Sequence, residues 1–507
     1  MTTVSAIRSF ATKHLDALIA AIAGFIVIHI FTRYSGVGIS PDSIMYMSTA
    51  RNLNDGLGYV YFGGKPIVAF PVFYPTFLAI AQFITRTDPV VLGPYIDGLL
   101  FGTLIFLSGI IMERFTFPSK IYKWFILVII VMSPSLLEIY TYLWSETLFI
   151  VWTLVFILAY YRYGQTHTLK SLIILAVITA LALITRYAGI TLVGTGGLLL
   201  LFDHELKPKK KIIHILTFGS IAISLLVINL VRNALVTHTG TGPRYKSLTS
   251  LSENMHYFGT VMCDWFTLGE KAYGLAFTIT LLLVLAIIIT FLFNAFRNRS
   301  KYNTYENIAL AFFIVYALFM IISATISRYE RINNRLLSPL FIPFIWGCTH
   351  WIPGALRKVT AMKYKLALAT ILMVLGVFFI RGEYGKDWQR NDDECDYGIP
   401  GYSDDDWNKS DLINLMKTHL EVFKPGYTVY NNACEAFYFF TNSGSEYIPK
   451  KNDPAAIRKF YAQSHFYVVV FDKLPDPALL DLKDILQHKA MTLIFHSADG
   501  SIYECDH

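Results

Sequence analysis

The chain has 507 residues, of which 54% are hydrophobic and only 16% are charged, whereas an ordinary soluble domain carries roughly 25% charged residues. With a mean hydropathy of +0.47, this composition excludes a soluble protein and predicts a membrane protein. The net charge of +7 hides an asymmetry, because residues 1–380 hold 30 basic and 15 acidic side chains while residues 381–507 hold 13 and 21. A basic membrane domain followed by an acidic soluble domain excludes a nucleic-acid-binding protein, whose basic patch would lie on the soluble part.

About eleven stretches have the roughly 20 mostly apolar residues that a spanning helix requires. They lie near 16–33, 92–112, 122–140, 146–162, 170–185, 187–203, 212–231, 273–296, 306–326, 336–352 and 365–380. The first follows Arg8 and Lys13 and no small-residue cleavage site comes after it, which indicates a signal anchor instead of a removed signal peptide. The predicted fold class is an α-helical polytopic membrane protein with about eleven spans.

The basic residues set the expected orientation. A short connector rich in Lys and Arg follows each even-numbered span. These residues are Arg114, Lys120 and Lys123; Arg162 and Lys170; Lys207, Lys209, Lys210 and Lys211; Arg297, Arg299 and Lys301; Arg357, Lys358, Lys363 and Lys365. The positive-inside rule places these connectors and the N-terminus in the cytoplasm and the C-terminal domain outside. Residues 92–112 and 170–203 could instead be re-entrant, but either alternative breaks this pattern.

The long connectors all fall on the predicted outer side, at 34–91 and 232–272, and residues 381–507 follow there. Chemistry is therefore expected to face outward, where an activated donor must be carried by a lipid instead of a nucleotide. Residues 1–380 form the predicted transmembrane catalytic domain. Residues 381–507 contain the short apolar segments TVYNN, HFYVVVF and MTLIFH, which predict strands, with helical runs between them. They predict an extracytoplasmic soluble α/β domain with a partly parallel sheet. Because this domain shows no phosphate loop and no paired carboxylates, we expect a lid or docking module.

Five cysteines without CxxC or Cys/His spacing exclude a zinc ribbon and a haem attachment site. Cys395 and Cys505 lie near the two ends of the soluble domain, in a compartment that permits disulfides. We therefore expect these two residues to pair and Cys434 to be buried, the alternative being three separate thiols.

The first outer segment predicts a helix over 42–54, capped by Ser40 or by Asp42 itself and ended by Gly56 and Gly58. Such a helix would lie at the membrane surface. Asp42 would then hold a carboxylate just above the hydrocarbon, where it could act on a polar substrate. The alternative is that Asp42 only caps the helix.

A second acidic residue, Glu146, follows Ser145 at the outer start of an apolar span. A carboxylate near hydrocarbon is costly and is more often functional than not. The alternative is stabilisation of the helix N-terminus by its charge. Glu138 precedes it by two turns and is its possible partner or its competitor for the role.

Basic residues at the outer side run against the positive-inside pattern. Arg186 and Tyr187 lie at the turn of a hairpin, and THTGTGPRYKS places Arg244 and Lys246 after two glycines. Guanidinium groups suit phosphate, which they bind through two parallel hydrogen bonds. The alternatives are snorkelling, or pairing with Asp42, Glu146 or Glu330. The substrate-binding candidates, including aromatic residues for a sugar or an isoprenoid, are Tyr46, Arg51, Tyr74, Arg186, Tyr187, Arg244, Lys246, Arg328, Arg331 and Arg335.

Four segments in this order resemble the GT-C glycosyltransferases, in particular the bacterial branch with protein O-mannosyltransferase-like and lipid A aminoarabinose transferase-like enzymes. The segments are PDSIMYMSTARNLNDGLGYVY with FPVFYPTFLAI, then WSETLFIVWTLVF, LALITRYAGITLV and SRYERINNRLLSPLFIPF. The resemblance covers most of residues 15–350. It implies a bacterial inner-membrane enzyme that takes a sugar from a polyprenyl-phosphate and gives it, with inversion, to a hydroxyl of a glycan, lipid or protein acceptor.

The resemblance also implies residue roles. Asp42 matches the catalytic carboxylate of the family's first outer loop. Glu146 matches the acidic residue of the second outer loop, which assists at the active site or at a metal, so Asp42 and Glu146 are the candidate ligands of a divalent cation such as Mg²⁺ or Mn²⁺. From the chemistry, Asp42 would be the general base and arginines such as Arg186 and Arg335 would stabilise the departing phosphate. The competing function is a transporter or flippase for a lipid-linked glycan, against which the chain shows no internal repeat.

Overall fold

The computed structural model describes residues 14–242, 244–327 and 330–506. They form two compact units. The helical unit consists of the described residues up to Arg33 with Val68–Tyr74 and Leu92–Asp393. The sheet unit consists of Tyr34–Ile67, Pro75–Val91 and residues 394–506.

The described residues form mostly α-helices, as their long apolar runs predict. In chain order the helices are α1 (Leu15–Phe31), α2 (Pro41–Asn54), α3 (Phe73–Thr85), α4 (Pro89–Met112), α5 (Lys120–Val131), α6 (Pro134–Tyr140), α7 (Ser145–Thr166), α8 (Leu169–Thr185), α9 (Ile190–Phe202), α10 (Pro208–Thr237), α11 (Leu251–Trp265), α12 (Ala276–Phe296), α13 (Tyr305–Ile326), α14 (Asn334–Leu337), α15 (Phe341–Thr349), α16 (Trp351–Lys358), α17 (Met362–Tyr397), α18 (Asp405–Asn408), α19 (Asp411–Thr418), α20 (Cys434–Thr441), α21 (Pro454–Tyr461) and α22 (Leu482–His488). Short 3₁₀ turns lie at Phe62–Gly64, Tyr187–Gly189, Glu270–Leu275, Arg299–Lys301, Ser338–Leu340 and Leu420–Val422.

Six helices among the described residues are long and apolar enough to cross a membrane, or seven if the bent pair α5 and α6 is one span. Four shorter apolar helices are α1, α3, α8 and the Tyr187–Phe202 segment. The protein is therefore an integral membrane protein, and the count of eleven spans stays a prediction. The predicted span at 336–352 is not one continuous helix, because 3₁₀ turn Ser338–Leu340 separates α14 from α15 and α16 follows separately. Prolines at 339, 343 and 353 remove backbone donors there.

The sheet unit contains a five-stranded sheet with the strand order β2-β1-β3-β5-β4. Its strands are β1 (Thr428–Asn431), β2 (Glu446–Tyr447), β3 (His465–Phe471), β4 (Thr492–Ser497) and β5 (Gly500–Asp506). Strand β1 is parallel to β2 and β3, whereas β5 is antiparallel to β3 and β4. The predicted partly parallel sheet is therefore confirmed. Its core includes Phe460, Phe466 and Val468.

The first outer segment packs in the same unit as this C-terminal module (residues 394–506). The backbone N–H of Tyr402 donates to the carbonyl of Ile39 at 2.9 Å, and Lys65 lies 2.8 Å from Glu446. The two compact units therefore differ from the predicted domains, which were divided at residue 380. The cysteines of the module are thiols, so the expected Cys395–Cys505 disulfide is wrong, whereas Cys434 is buried as expected. Burial raises the pKa of Cys434 to about 12.

Candidate active site

Helix α2 places Asp42 at its second position, and Ser40 is the N-cap. The Ser40 hydroxyl accepts from the Ser43 N–H at 3.4 Å, and the Ser43 hydroxyl accepts from the Ser40 N–H at 3.1 Å. These two bonds form a capping box, with Pro41 at the first helical position. The predicted helix is thus confirmed, and its end coincides with two glycines at positive φ, Gly56 and Gly58. The half-buried Asp42 carboxylate is not the cap.

Arg51, at the other end of α2, is engaged by protein groups. Its Nε lies 2.7 Å from the Asp88 carboxylate, and its guanidinium contacts the hydroxyl of Tyr438 at 3.4 Å. Burial alone would lower the pKa of Arg51, but the hydrogen bonds to Asp88 and Tyr438 raise it. Arg51 was expected to bind substrate. In the structure it binds Asp88 and Tyr438 within the sheet unit.

In the helical unit, Glu146 lies between two arginines. Glu146 is 0% exposed, and its two carboxylate oxygens lie 2.5 Å from Arg186 Nη1 and 2.6 Å from Arg335 Nε. Ion pairing with Glu146 was the alternative to phosphate binding for these arginines, and the structure shows that pairing. Two guanidiniums therefore contact this one carboxylate.

Neighbouring groups fix the geometry of this Arg186–Glu146–Arg335 cluster. The Arg335 guanidinium lies 4.0 Å from the ring centroid of Trp144, a cation–π contact. Ser145 is within hydrogen-bond distance of both Arg186 (3.3 Å) and Glu146 (3.4 Å). Glu330 is 3.8 Å from Arg335 and exposed, so this outer contact is weak.

Glu138 does not compete for the arginines. Its carboxylate accepts from the Asn334 side-chain amide at 2.6 Å, and Asn334 also accepts from the indole N–H of Trp265 at 2.8 Å. Glu138 therefore holds Asn334, which precedes Arg335 in α14. It is linked to the Arg186–Glu146–Arg335 cluster through the backbone of that helix.

The residues around Glu146 do not fit a divalent cation. A metal ligand needs an oxygen lone pair directed at the ion, but each oxygen of Glu146 faces a guanidinium whose positive charge would repel a cation. Nowhere among residues 14–242, 244–327 and 330–506 do three or more His, Cys, Asp or Glu side chains form a group suited to a metal. The metal role expected for Glu146 therefore stays a prediction, and no step below depends on a cation.

Tyr187 is held in a network of amides next to Arg186. Its hydroxyl donates to the carbonyl of Val68 at 3.1 Å and is approached by the Asn229 amide at 3.4 Å. The 3₁₀ turn that carries it needs Gly189, because a Cβ there would lie 2.5 Å from Leu183 Cα. The turn holds Tyr187 and Arg186 against the ends of α8 and α10.

Three other basic candidates lie on the surface. Arg244 and Lys246 are exposed, with Arg244 Nε donating to the Thr241 hydroxyl at 3.2 Å. Exposed Arg331 lies over the ring of Tyr257 at 4.7 Å. Arg328 lies outside the described residues. The phosphate cradle expected at 240–246 stays a prediction.

Two aromatic candidates are buried. Tyr46 is 1% exposed and Tyr74 is 0% exposed, so their rings pack inside their units and do not present faces to a sugar. This corrects the expectation for both residues. Trp144, Asp88 and Asn229 contact candidate site residues, but the sequence analysis did not single them out. A signal existed for Trp144, which directly precedes Ser145 and Glu146 in the segment that carries the resemblance.

No protein-family model matches the chain, and no curated protein sequence matches it. Solved structures do match. ArnT from Cupriavidus metallidurans in the apo state is similar with a TM-score of 0.59 and 11% identity over 98% of each chain. The same protein bound to undecaprenyl phosphate gives 0.57 and 10% identity over 97% of each chain. The apo oligosaccharyltransferase of Archaeoglobus fulgidus gives 0.55 and 12% identity over 90% of this chain and 69% of that one.

These similarities extend along almost the whole chain, and at such low identity they establish the fold. The chain shares the fold of ArnT and of the archaeal oligosaccharyltransferase. The fold expected from the four sequence segments is thus confirmed.

Proposed function

We propose that the protein is a glycosyltransferase of the extracytoplasmic membrane face, which moves a sugar from a polyprenyl-phosphate donor to an acceptor hydroxyl. One observation carries this proposal: the whole-length likeness to ArnT, solved with undecaprenyl phosphate bound. The acceptor is a glycan, a lipid or a protein, and the location is the inner membrane of a bacterium.

The proposed reaction is a single displacement. The acceptor oxygen forms a bond to the anomeric carbon while the bond from that carbon to the donor phosphate oxygen breaks, and the bonding electron pair leaves with the phosphate. A single displacement inverts the configuration at the carbon. Asp42 is the general base that receives the acceptor proton, a role that contributes about 10²- to 10⁴-fold in rate. Capping by Ser40 supports this role because it leaves the helix start independent of the Asp42 carboxylate.

Arg186 and Arg335 are proposed to stabilise the phosphate that leaves. Guanidinium groups suit a phosphate, which they bind through parallel hydrogen bonds, and the Glu146 carboxylate contacts both guanidiniums at distances of 2.5 and 2.6 Å. Such preorganised charge costs no rearrangement when the leaving group develops its own. Glu146 thereby becomes a positioning residue for the arginines, not a metal ligand.

The test is the lipid-linked sugar pool of a deletion strain. Mass spectrometry of polyprenyl-phosphate sugars and surface glycans should show one polyprenyl-phosphate sugar accumulating and one glycan, lipid or protein modification lost. Plasmid-borne protein should reverse both changes, whereas the Asp42→Asn variant should not. If the protein were a flippase, both the wild type and the Asp42→Asn variant should restore the pool of lipid-linked sugars. That result would contradict the proposal.

The same extract supplies the donor for assays in vitro. Transfer is measured with purified protein in nanodiscs, once with Mg²⁺ or Mn²⁺ and once with EDTA. Transfer that survives EDTA agrees with the ion pairing of Glu146, and transfer abolished by EDTA and restored by Mg²⁺ would return a divalent cation to the mechanism.

A further inference from the structure

We propose that the C-terminal module positions the catalytic carboxylate by holding both ends of helix α2, with Gly401 and Tyr438 as the positioning residues. This inference rests on the proposed role of Asp42. All the contacts that carry it lie within the sheet unit.

The segment that leads into α2 is bound by the module along its length. Three hydrogen bonds join alternate residues of 35–39 to residues 399–403: the Ile399 N–H to Ser35 Oγ at 3.0 Å, the Ser403 hydroxyl to the Val37 carbonyl at 3.0 Å, and the Tyr402 N–H to the Ile39 carbonyl at 2.9 Å. Val37 and Ile39 are 0% exposed. Asp42 follows Ile39 by three residues, so the last of these bonds sets where the helix starts.

Gly401 permits this close approach. Its φ is +128°, and a Cβ at this position would lie 2.5 Å from the Ile39 carbonyl oxygen. Backbone cannot rotate away as a long side chain can, so any side chain at 401 must push the 37–39 segment off the module or break its own turn.

The far end of α2 is held by α20 of the module. The ring of Tyr438 stacks on Phe62 with centroids 5.2 Å apart, and its hydroxyl lies 3.4 Å from Arg51, which also pairs with Asp88. The Phe62 N–H donates to the Ser48 hydroxyl at 3.2 Å, which ties this contact back to α2. Helix α2 has 14 residues and moves as one body, so a shift at either end reaches Asp42.

The experiment compares two glycines of the module in the full-length protein in nanodiscs. Gly401→Ala introduces the clash with Ile39, whereas Gly426→Ala is the matched control, because Gly426 also has positive φ (+85°) but nothing within 4 Å of a Cβ. Both variants carry the backbone strain of alanine at positive φ, but only Gly401→Ala also brings a Cβ against the backbone of Ile39.

Two readouts are taken on each variant. Hydrogen–deuterium exchange of the 35–54 peptides measures docking of α2 without reference to activity. Initial rates with the polyprenyl-phosphate sugar extracted from the deletion strain give kcat and KM. We expect Gly401→Ala to exchange faster over 35–54 and to lose about 10²-fold in kcat with little change in donor KM, as for a misplacement near 1 Å. Gly426→Ala should match the unaltered protein in both readouts.

Tyr438 supplies a second pair of variants if Gly401→Ala does not fold. Tyr438→Phe retains the ring that stacks on Phe62 and loses only the hydroxyl contact with Arg51, so it should lose less kcat than Tyr438→Ala, which should also expose 41–54 to exchange. Faster exchange with kcat unchanged, in a protein that Asp42→Asn inactivates, would overturn positioning and leave the proposed function standing. Faster exchange in Gly401→Ala, together with a normal kcat in that variant and normal transfer by Asp42→Asn, would overturn both positioning and the proposed function. Unchanged exchange in Gly401→Ala and Tyr438→Ala would overturn positioning alone.

Discussion

Ser40 and Asp42 stand two positions apart at the start of α2, with the cap formed by Ser40. Asp42→Asn is therefore expected to leave the cap of α2 in place and to lose the ~0.3–1 kcal/mol that a negative charge near a helix N-terminus contributes. It should lose at least ~10²-fold in transfer rate, because an amide cannot accept the acceptor proton. The measurements are thermal unfolding and transfer with the extracted donor.

Ser40→Ala is the matched control for this prediction. It removes the cap and should cost about 1 kcal/mol of stability while retaining the carboxylate at 42. We therefore expect Asp42→Asn to lose activity and Ser40→Ala to lose stability. Near-normal transfer by Asp42→Asn would contradict a general-base role for Asp42.

Arg335 is one of the two arginines that pair with the buried Glu146, so its removal tests the electrostatics. Arg335→Ala leaves Glu146 paired with Arg186, so the loss of stability should stay below the ~3–5 kcal/mol that an unpaired buried charge costs. We expect a lower melting temperature as well as lower transfer. Arg335→Lys should recover only part of both, since an ammonium offers neither the planar face on Trp144 nor the fork that a phosphate accepts.

The double variant Arg335→Ala/Glu146→Gln separates the two effects. If Arg335 and Glu146 interact directly, the double variant should lose less stability than the sum of the losses of Arg335→Ala and Glu146→Gln, by a coupling of about 0.5–3 kcal/mol, while transfer stays low. Exposed Arg299→Ala serves as the control for loss of an arginine. Additive melting temperatures would contradict the pairing.

At the scale of elements, the 3₁₀ turn after α8 depends on Gly189. Gly189→Ala places a Cβ 2.5 Å from Leu183 Cα, so we expect a large fall in melting temperature and in transfer as Arg186 and Tyr187 move. Gly197→Ala in α9 is the control: nothing lies within 4 Å of its Cβ, and alanine in a helix interior should stabilise by about 0.5–1 kcal/mol. Equal melting temperatures for Gly189→Ala and Gly197→Ala would contradict a steric role for Gly189.

Local patterns predicted those elements that local rules determine. Helix α2 was predicted from its cap and its two terminal glycines, and β1, β3 and β4 from their apolar runs. Strand β5 was not, because GSIYECD mixes Gly, Ser and acidic residues and is a strand only through pairing with β3 and β4. Strand β2 has two residues, too few for any periodicity.

At the scale of the whole molecule, the site depends on contacts that no window of sequence contains. Glu146 and Arg335 are 189 residues apart, and Arg51 and Tyr438 are 387 apart. The residue types and their predicted membrane face pointed to an anion near the arginines, but only tertiary structure identifies Glu146 as the carboxylate they bind. The division into domains was likewise drawn along the chain, whereas 34–67 packs in the sheet unit.

The orientation of the chain in the membrane is the last prediction, and it follows from charge. Lys207, Lys209, Lys210 and Lys211 fall in one short connector, which the positive-inside rule places in the cytoplasm, and the parity of the spans then places residues 381–507 outside. Positions 210 and 451 are both exposed, so either accepts a label. In a cysteine-free version, Lys451→Cys should react with an impermeant maleimide in intact cells, and Lys210→Cys should react only after permeabilisation. Equal labelling in intact cells would contradict the orientation, and an outward-facing transfer reaction with it.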